Sequence, residues 1–172
     1  MRYASIPVPL IALLLTVGSV WAQSPKRSFD LGGQRLPTAE DLIEQIGSEA
    51  DTRAIVSLLL REELSRGHVY PIDRVRLFGA QVRPTWLPSL GLQIELLDDP
   101  HARAAYAECA VFFALQPATV KDGVVAMSVT VGKRCNNSSS FYEFRHTAQG
   151  WQDELLPGGA ASGMSDCACP AP

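Results

Sequence analysis

The sequence predicts an α+β domain: an N-terminal helix or helix pair packed on a bent antiparallel meander sheet of about five or six strands. Three observations carry this. Apolar residues recur at helical spacing between Thr38 and Arg66. From Cys109 to Cys135 they alternate instead, on both sides of Lys121-Asp122-Gly123. A second alternating pair, Phe141–Thr147 and Trp151–Leu155, folds back around Gly150.

The central hairpin organises the rest. Cys109, Val111, Phe113 and Leu115 share one parity on its first arm, and Val125, Met127, Val129, Val131 and Cys135 share it on the return. Asp122-Gly123 marks the turn, because glycine tolerates positive φ and aspartate bonds its own backbone. With Lys121-Asp122-Gly123 as the loop, Val120 faces Val124, Phe113 faces Val131 and Leu115 faces Val129. The same register sets Cys109 opposite Cys135. Facing Cβ atoms lie about 4.5–5.5 Å apart, close to the roughly 3.5–4.5 Å a disulfide needs. Pro117 works against this register: it lacks a ladder donor and can end the pairing near Gln116 or force a bulge. Four cysteines allow three connectivities. A second pair, Cys167 with Cys169, or bonds from the tail to Cys109 and Cys135, stay open, as does a reading of both as small buried hydrophobes.

The chain opens with Arg2, an apolar run from Pro7 to Val20, and small residues at Val20 and Ala22. This is the pattern of a secretory signal over residues 1–22, and the run is shorter than the roughly 18–20 residues of a comfortable membrane span. An uncleaved anchor is the alternative. Cleavage leaves about 150 residues, one domain with room for a core. The expected location is periplasmic or secreted, where disulfides are the default and no span remains. The whole chain carries 15 basic and 18 acidic residues. It has no basic run, which argues against nucleic acid or an anionic membrane as partner.

Residues 23–37 read as a polar leader, 38–156 as the domain and 157–172 as a disordered, cysteine-containing tail. Thr38 caps a helix over 38–46 with Glu40 and Asp41 in its first turn; Gly47-Ser48 interrupts; Ser48 caps a second helix over 49–66, and Gly67 suits its end. Ile55, Leu58 and Leu59 lead its apolar stripe, with Arg53, Arg61, Glu62, Glu63 and Arg66 assigned to the outer surface. Asp73–Val82 reads as a strand, 84–88 as a proline-stiffened loop and 91–98 as a strand. Asp98–His101 is a turn into one long bent strand, with a short helix over 100–106 as the alternative. Asn136–Ser139 reads as a polar turn. In the last hairpin, a type I turn with a bulge at Gly150 sets Arg145 opposite Asp153, and Trp151 serves as a core or rim aromatic. This order of elements is similar to the cystatin-like and nuclear-transport-factor-2-like architectures. The resemblance is one of topology over residues 38–156 and carries no site with it.

Catalytic signatures do not emerge. There is no Gly-x-Ser-x-Gly elbow, phosphate loop or dinucleotide fingerprint, so no cofactor is implied. His68, His101 and His146 lack metal-ligand spacing, and Cys167-Ala168-Cys169 lacks further ligands, so no metal is expected. Asn136-Asn137-Ser138-Ser139 holds two overlapping glycosylation sequons. Tyr70, Asp73, Trp86, Tyr142 and His146 are the candidate binding residues, by loop or strand-end position and side-chain chemistry. The expected function is a non-enzymatic binding or inhibitor module outside the cytoplasm, meeting a protein partner or small ligand through loops 84–90 and 136–140. The alternative is a small-ligand carrier or small enzyme with a helix–sheet pocket using His146, Tyr142 or Asp73. A structural envelope component ranks third.

Overall fold

Thr38 begins the first helix by a reciprocal cap. Its hydroxyl accepts the Asp41 backbone N–H at 3.1 Å, and the Asp41 carboxylate accepts the Thr38 N–H at 2.8 Å. Helix α1 then runs Ala39–Ile46 and stops at Gly47, whose φ of 94° lets its N–H return to the Ile43 carbonyl at 2.7 Å. Ser48 caps helix α2, Glu49–Ser65, by accepting the Asp51 N–H at 3.3 Å. In this computed structural model the described residues are 30–31, 34–66, 72, 74–97, 100, 104, 110–133 and 136–164. Residues 1–29, where a secretory signal was expected, and all four cysteines lie outside them. Among the described residues, no helix is long and apolar enough to cross a membrane.

The architecture is α+β: the described residues form helices α1, α2 and a further short helix, and a seven-stranded mixed sheet. Short strands β1 (Asp30–Leu31) and β2 (Gln34–Arg35) pair with each other ahead of α1. The main sheet contains β3 (Val75–Phe78), β4 (Ile94–Leu97), β5 (Phe112–Leu115), β6 (Thr119–Lys121), β7 (Val124–Lys133), β8 (Asn136–Thr147) and β9 (Gly150–Met164). Its order is β4-β3-β5-β7-β8-β9, with β6 beside β7. Strands β5 to β9 form the expected antiparallel meander. The lead-in strands depart from it: β3 runs parallel to both β4 and β5. Parallel neighbours need crossover connections. The first contains a 3₁₀ turn at Pro84–Trp86 and the short helix α3, Leu87–Leu90, where a stiff loop was expected. Pro84 and Pro88 both sit at helix starts, where a missing N–H costs nothing. In the second, Pro100 and Ala104 have helical backbone, so the long bent strand is replaced by a strand beginning only at Phe112.

The central hairpin follows two registers. Beyond Pro117, Phe113 pairs with Val131 and Leu115 with Val129, as the alternation predicts. Near the turn, Lys121 pairs with Val124 and Val120 with Val125, so the loop is two residues rather than three. Asp122 (φ 52°) and Gly123 (φ 75°) both take positive φ, which matches the twist of the flanking strands. The extra residue is absorbed at Gln116-Pro117-Ala118. The Asn136–Ser139 segment is not a turn. It opens β8 and pairs with Thr130–Lys133 on one side and Ala161–Met164 on the other. Strand β9 passes the expected end at Leu155 and continues to Met164, with a pairing irregularity between Ser140 and Tyr142. At the last hairpin Gly150 has the expected positive φ of 104°. Arg145 pairs with Gln152 rather than Asp153, and its guanidinium bonds Glu143 at 2.8 Å.

Ile55, Val56, Leu59 and Leu60 of α2 are fully buried against Phe113, Leu115, Val129, Tyr142 and Phe144. The stripe fills the space between helix and sheet. Strand β5 is buried on both faces: Phe112 and Ala114 join Leu36, Phe78 and Leu97 in a second cluster.

Candidate functional site

The predicted site residues do not converge. Tyr70 and Asp73 lie outside the described residues. Trp86 is buried at the start of α2, and its indole N–H donates to Glu49 at 2.8 Å. Tyr142 is buried under the other end of α2, and its hydroxyl donates to Glu63 at 2.6 Å. His146 is exposed at the tip of the β8–β9 hairpin, edge-on to Trp151 with ring centroids 5.2 Å apart. Trp151 packs on the rim of the core and donates its indole N–H to Asp51 at 2.7 Å.

Helix α2 is thus stitched down by three of its own carboxylates, each accepting from an aromatic donor. The Glu63 contact is the most enclosed. Glu63 is 2% exposed, against the expectation that it lies on the helix surface. Ser140 donates to its other oxygen at 3.2 Å, and Arg66 reaches Ser140 at 2.8 Å and the Tyr142 hydroxyl at 3.3 Å. Burial, then the Glu63 bond, drives the Tyr142 phenol well above its ordinary range. The bond to Tyr142 raises the Arg66 guanidinium further, against the pull of burial. Glu49 is different: its exposed carboxylate is lowered mainly by the Trp86 bond, with Arg83 contributing at 2.6 Å. Tyr142 was among the candidates, but its partners Glu63 and Arg66 were not, yet a signal existed. Glu63 follows Val56, Leu59 and Leu60 at helical spacing, so it lies on the buried stripe. Tyr142 has the buried parity of β8, where a hydroxyl needs a partner.

One concave feature among the described residues is an open groove of about 540 Å³ between α1 and the bulge at Pro117. Arg35, Leu36 and Pro37 line one side, Asp41, Glu44 and Gln45 of α1 another, and Pro117 the far wall. Proline at 117 explains the wall. It offers no N–H to β7, so regular pairing lapses, and the next N–H, of Ala118, goes instead to the Gln45 side-chain carbonyl at 2.8 Å. Asp41 caps α1 and lies 3.7 Å from Arg35. Glu44 is exposed and has no hydrogen bond or ion pair among the described residues.

No group of acidic, histidine or cysteine side chains suited to a metal occurs among the described residues. Every buried side-chain polar atom described has a hydrogen-bond partner. The buried Glu63 is committed to hydrogen bonds within the fold, and the exposed His146 packs T-shaped against the Trp151 indole. Comparison of the chain with family models, with curated proteins and with solved structures finds no match.

Proposed function

We propose that the protein is an exported, non-enzymatic binding or inhibitor module that meets a protein partner outside the cytoplasm. One observation carries the choice over a carrier or small enzyme. The space between α2 and the sheet, where a pocket would have to lie, is taken up by the core stripe and the Glu63–Tyr142–Ser140–Arg66 cluster. Among the described residues, the groove beside α1 and the exposed residues of the 84–89 segment, Pro84, Thr85, Pro88 and Ser89, offer contact surface. Segment 136–140 leaves that surface as a loop, because it is built into β8.

The test is capture in the native envelope. A photo-cross-linker at Glu44 or Thr85 of the exported protein traps one discrete partner, while the same probe at exposed Arg53 on α2 does not. Equal trapping at all three positions, or a protein retained in the cytoplasm with its first 22 residues attached, sinks the reading. We also propose a Cys109–Cys135 disulfide in the exported protein. The described ladder of Phe112–Leu115 with Val129–Gly132 has the register that this pairing requires. Non-reducing peptide mapping checks it, and free thiols at both positions refute it.

A further inference from the structure

We infer that the 84–89 turn is a pre-built contact element for an uncharged patch of the partner, and that Gln81 and Arg61 are the residues that position it. This deepens the reading of the protein as a binding module and rests on it. The six residues of the turn carry no charge. Pro84, Thr85, Pro88 and Ser89 are exposed, whereas Gln81, Val82, Trp86 and Leu90 are buried. Surface loops are as a rule the mobile parts of a fold. This one is fastened at its entry, its middle and its exit.

At the entry, Gln81 stands in for a strand. Strand β3 pairs with β5 at Leu77 and Phe113 and ends at Phe78; the Gly79 N–H then goes to the Leu97 carbonyl at 2.6 Å. Two residues further along β5, at Leu115, β3 has already turned away. The Gln81 carboxamide fills that place. It donates to the Leu115 carbonyl at 2.6 Å and accepts the Leu115 N–H at 3.2 Å. Both bonds are buried, so water cannot replace either. Arg83 then reaches both helices, Glu40 of α1 at 3.1 Å and Glu49 of α2 at 2.6 Å. In the middle, the Trp86 ring is sunk in the core, and the Ser89 hydroxyl closes the turn onto the Trp86 carbonyl at 2.7 Å. At the exit, Arg61 of α2 donates to the Leu90 carbonyl at 3.0 Å. Gly91 leaves room for it: a Cβ there would stand 3.2 Å from the same guanidinium nitrogen.

These anchors leave two proline rings and two hydroxyl side chains facing solvent. The rings offer apolar surface without a backbone N–H. Aromatic side chains, enriched at the centre of protein interfaces, are the matching chemistry on a partner. With no charge on the element, its contact does not depend on ion pairs. Because the turn is ordered beforehand, binding does not have to order it.

The experiment uses the mature exported protein, ¹⁵N-labelled in one sample and carrying a photo-cross-linker at Thr85 in its native envelope in another. The Thr85 and Ser89 amides are expected to show order parameters of about 0.85, like those of α2. Gln81→Leu lowers them below about 0.6, leaves α2 unchanged and cuts the Thr85 cross-link about tenfold. Arg61→Ala does the same at Ser89; its side chain is exposed, so this variant folds even where Gln81→Leu does not. Trapping in the parent survives a rise in salt from about 0.1 to about 1 M, over which the Debye length falls from about 10 to 3 Å. The inference is overturned if the parent amides are already mobile, if both variants leave order and trapping unchanged, or if salt abolishes the cross-link. Mobile amides with a discrete partner still trapped at Thr85 remove the pre-built element and leave the binding module standing. Ordered amides with no partner trapped at Thr85 or Glu44 overturn both.

Discussion

The two ends of helix α2 use the same chemistry in opposite surroundings. At the C-terminal end Glu63 accepts from Tyr142 and Ser140 with Arg66 beside them, nearly out of contact with water. At the N-terminal end Glu49 and Asp51 accept from Trp86 and Trp151 on the surface side of the helix. The bond lengths are alike, so burial sets the difference. A buried carboxylate must have every partner in place, because water cannot substitute for one that is lost. An exposed carboxylate loses one bond and regains solvent. The difference teaches where the helix is fastened and where it is only steered.

The sharpest way to break this comparison is Glu63→Ala. It leaves Tyr142, Ser140 and Arg66 without their shared acceptor and is expected to cost about 3–5 kcal/mol in urea unfolding. Next is Tyr142→Phe, which removes one hydrogen bond to a charged group and should cost about 2 kcal/mol. Tyr142 also predicts a pH dependence. Its folded pKa is raised, so the neutral phenol stabilises the fold fully below the unfolded value of about 10. That contribution is lost as pH rises above 10, because unfolding then releases a proton. The alkaline fall in stability should be shallower in Tyr142→Phe, measured by urea midpoints from pH 8 to 11.

Smaller effects lie at the other end. Trp151→Phe keeps an aromatic ring on the core rim but drops the bond to Asp51 and part of the indole packing, an expected loss of about 1 kcal/mol by the same assay. Smallest of all is Glu49→Gln, which keeps an acceptor for Trp86 in an exposed position; its urea midpoint should match the parent within measurement error. A loss from Glu49→Gln as large as that from Glu63→Ala would mean that burial is not what separates the two ends.

The groove and the Glu63 cluster were legible to different degrees. Glu63 could be found by following the stripe one turn past Leu59 and Leu60, once a glutamate is allowed on a buried face. Assigning it to the surface treated charge as stronger than periodicity, and Tyr142, Ser140 and Arg66 reverse that order. Pro117 announced a fault in the ladder. Nothing near it in the chain announced that Gln45, on α1, would take up the orphaned Ala118 N–H and so form the groove wall.

What the sequence determined by itself was local. Thr38 with Asp41, Gly47, Ser48, Asp122-Gly123 and Gly150 set caps and turns, because each acts on backbone within a few residues. Alternation likewise fixed which side of β5 and β7 faces α2. The tertiary structure alone decided that β3 lies parallel between β4 and β5, that β8 begins at Asn136, and that three carboxylates of α2 meet three aromatic donors. Those outcomes depend on which distant surfaces meet, and local patterning constrains a residue's face without naming the partner across it.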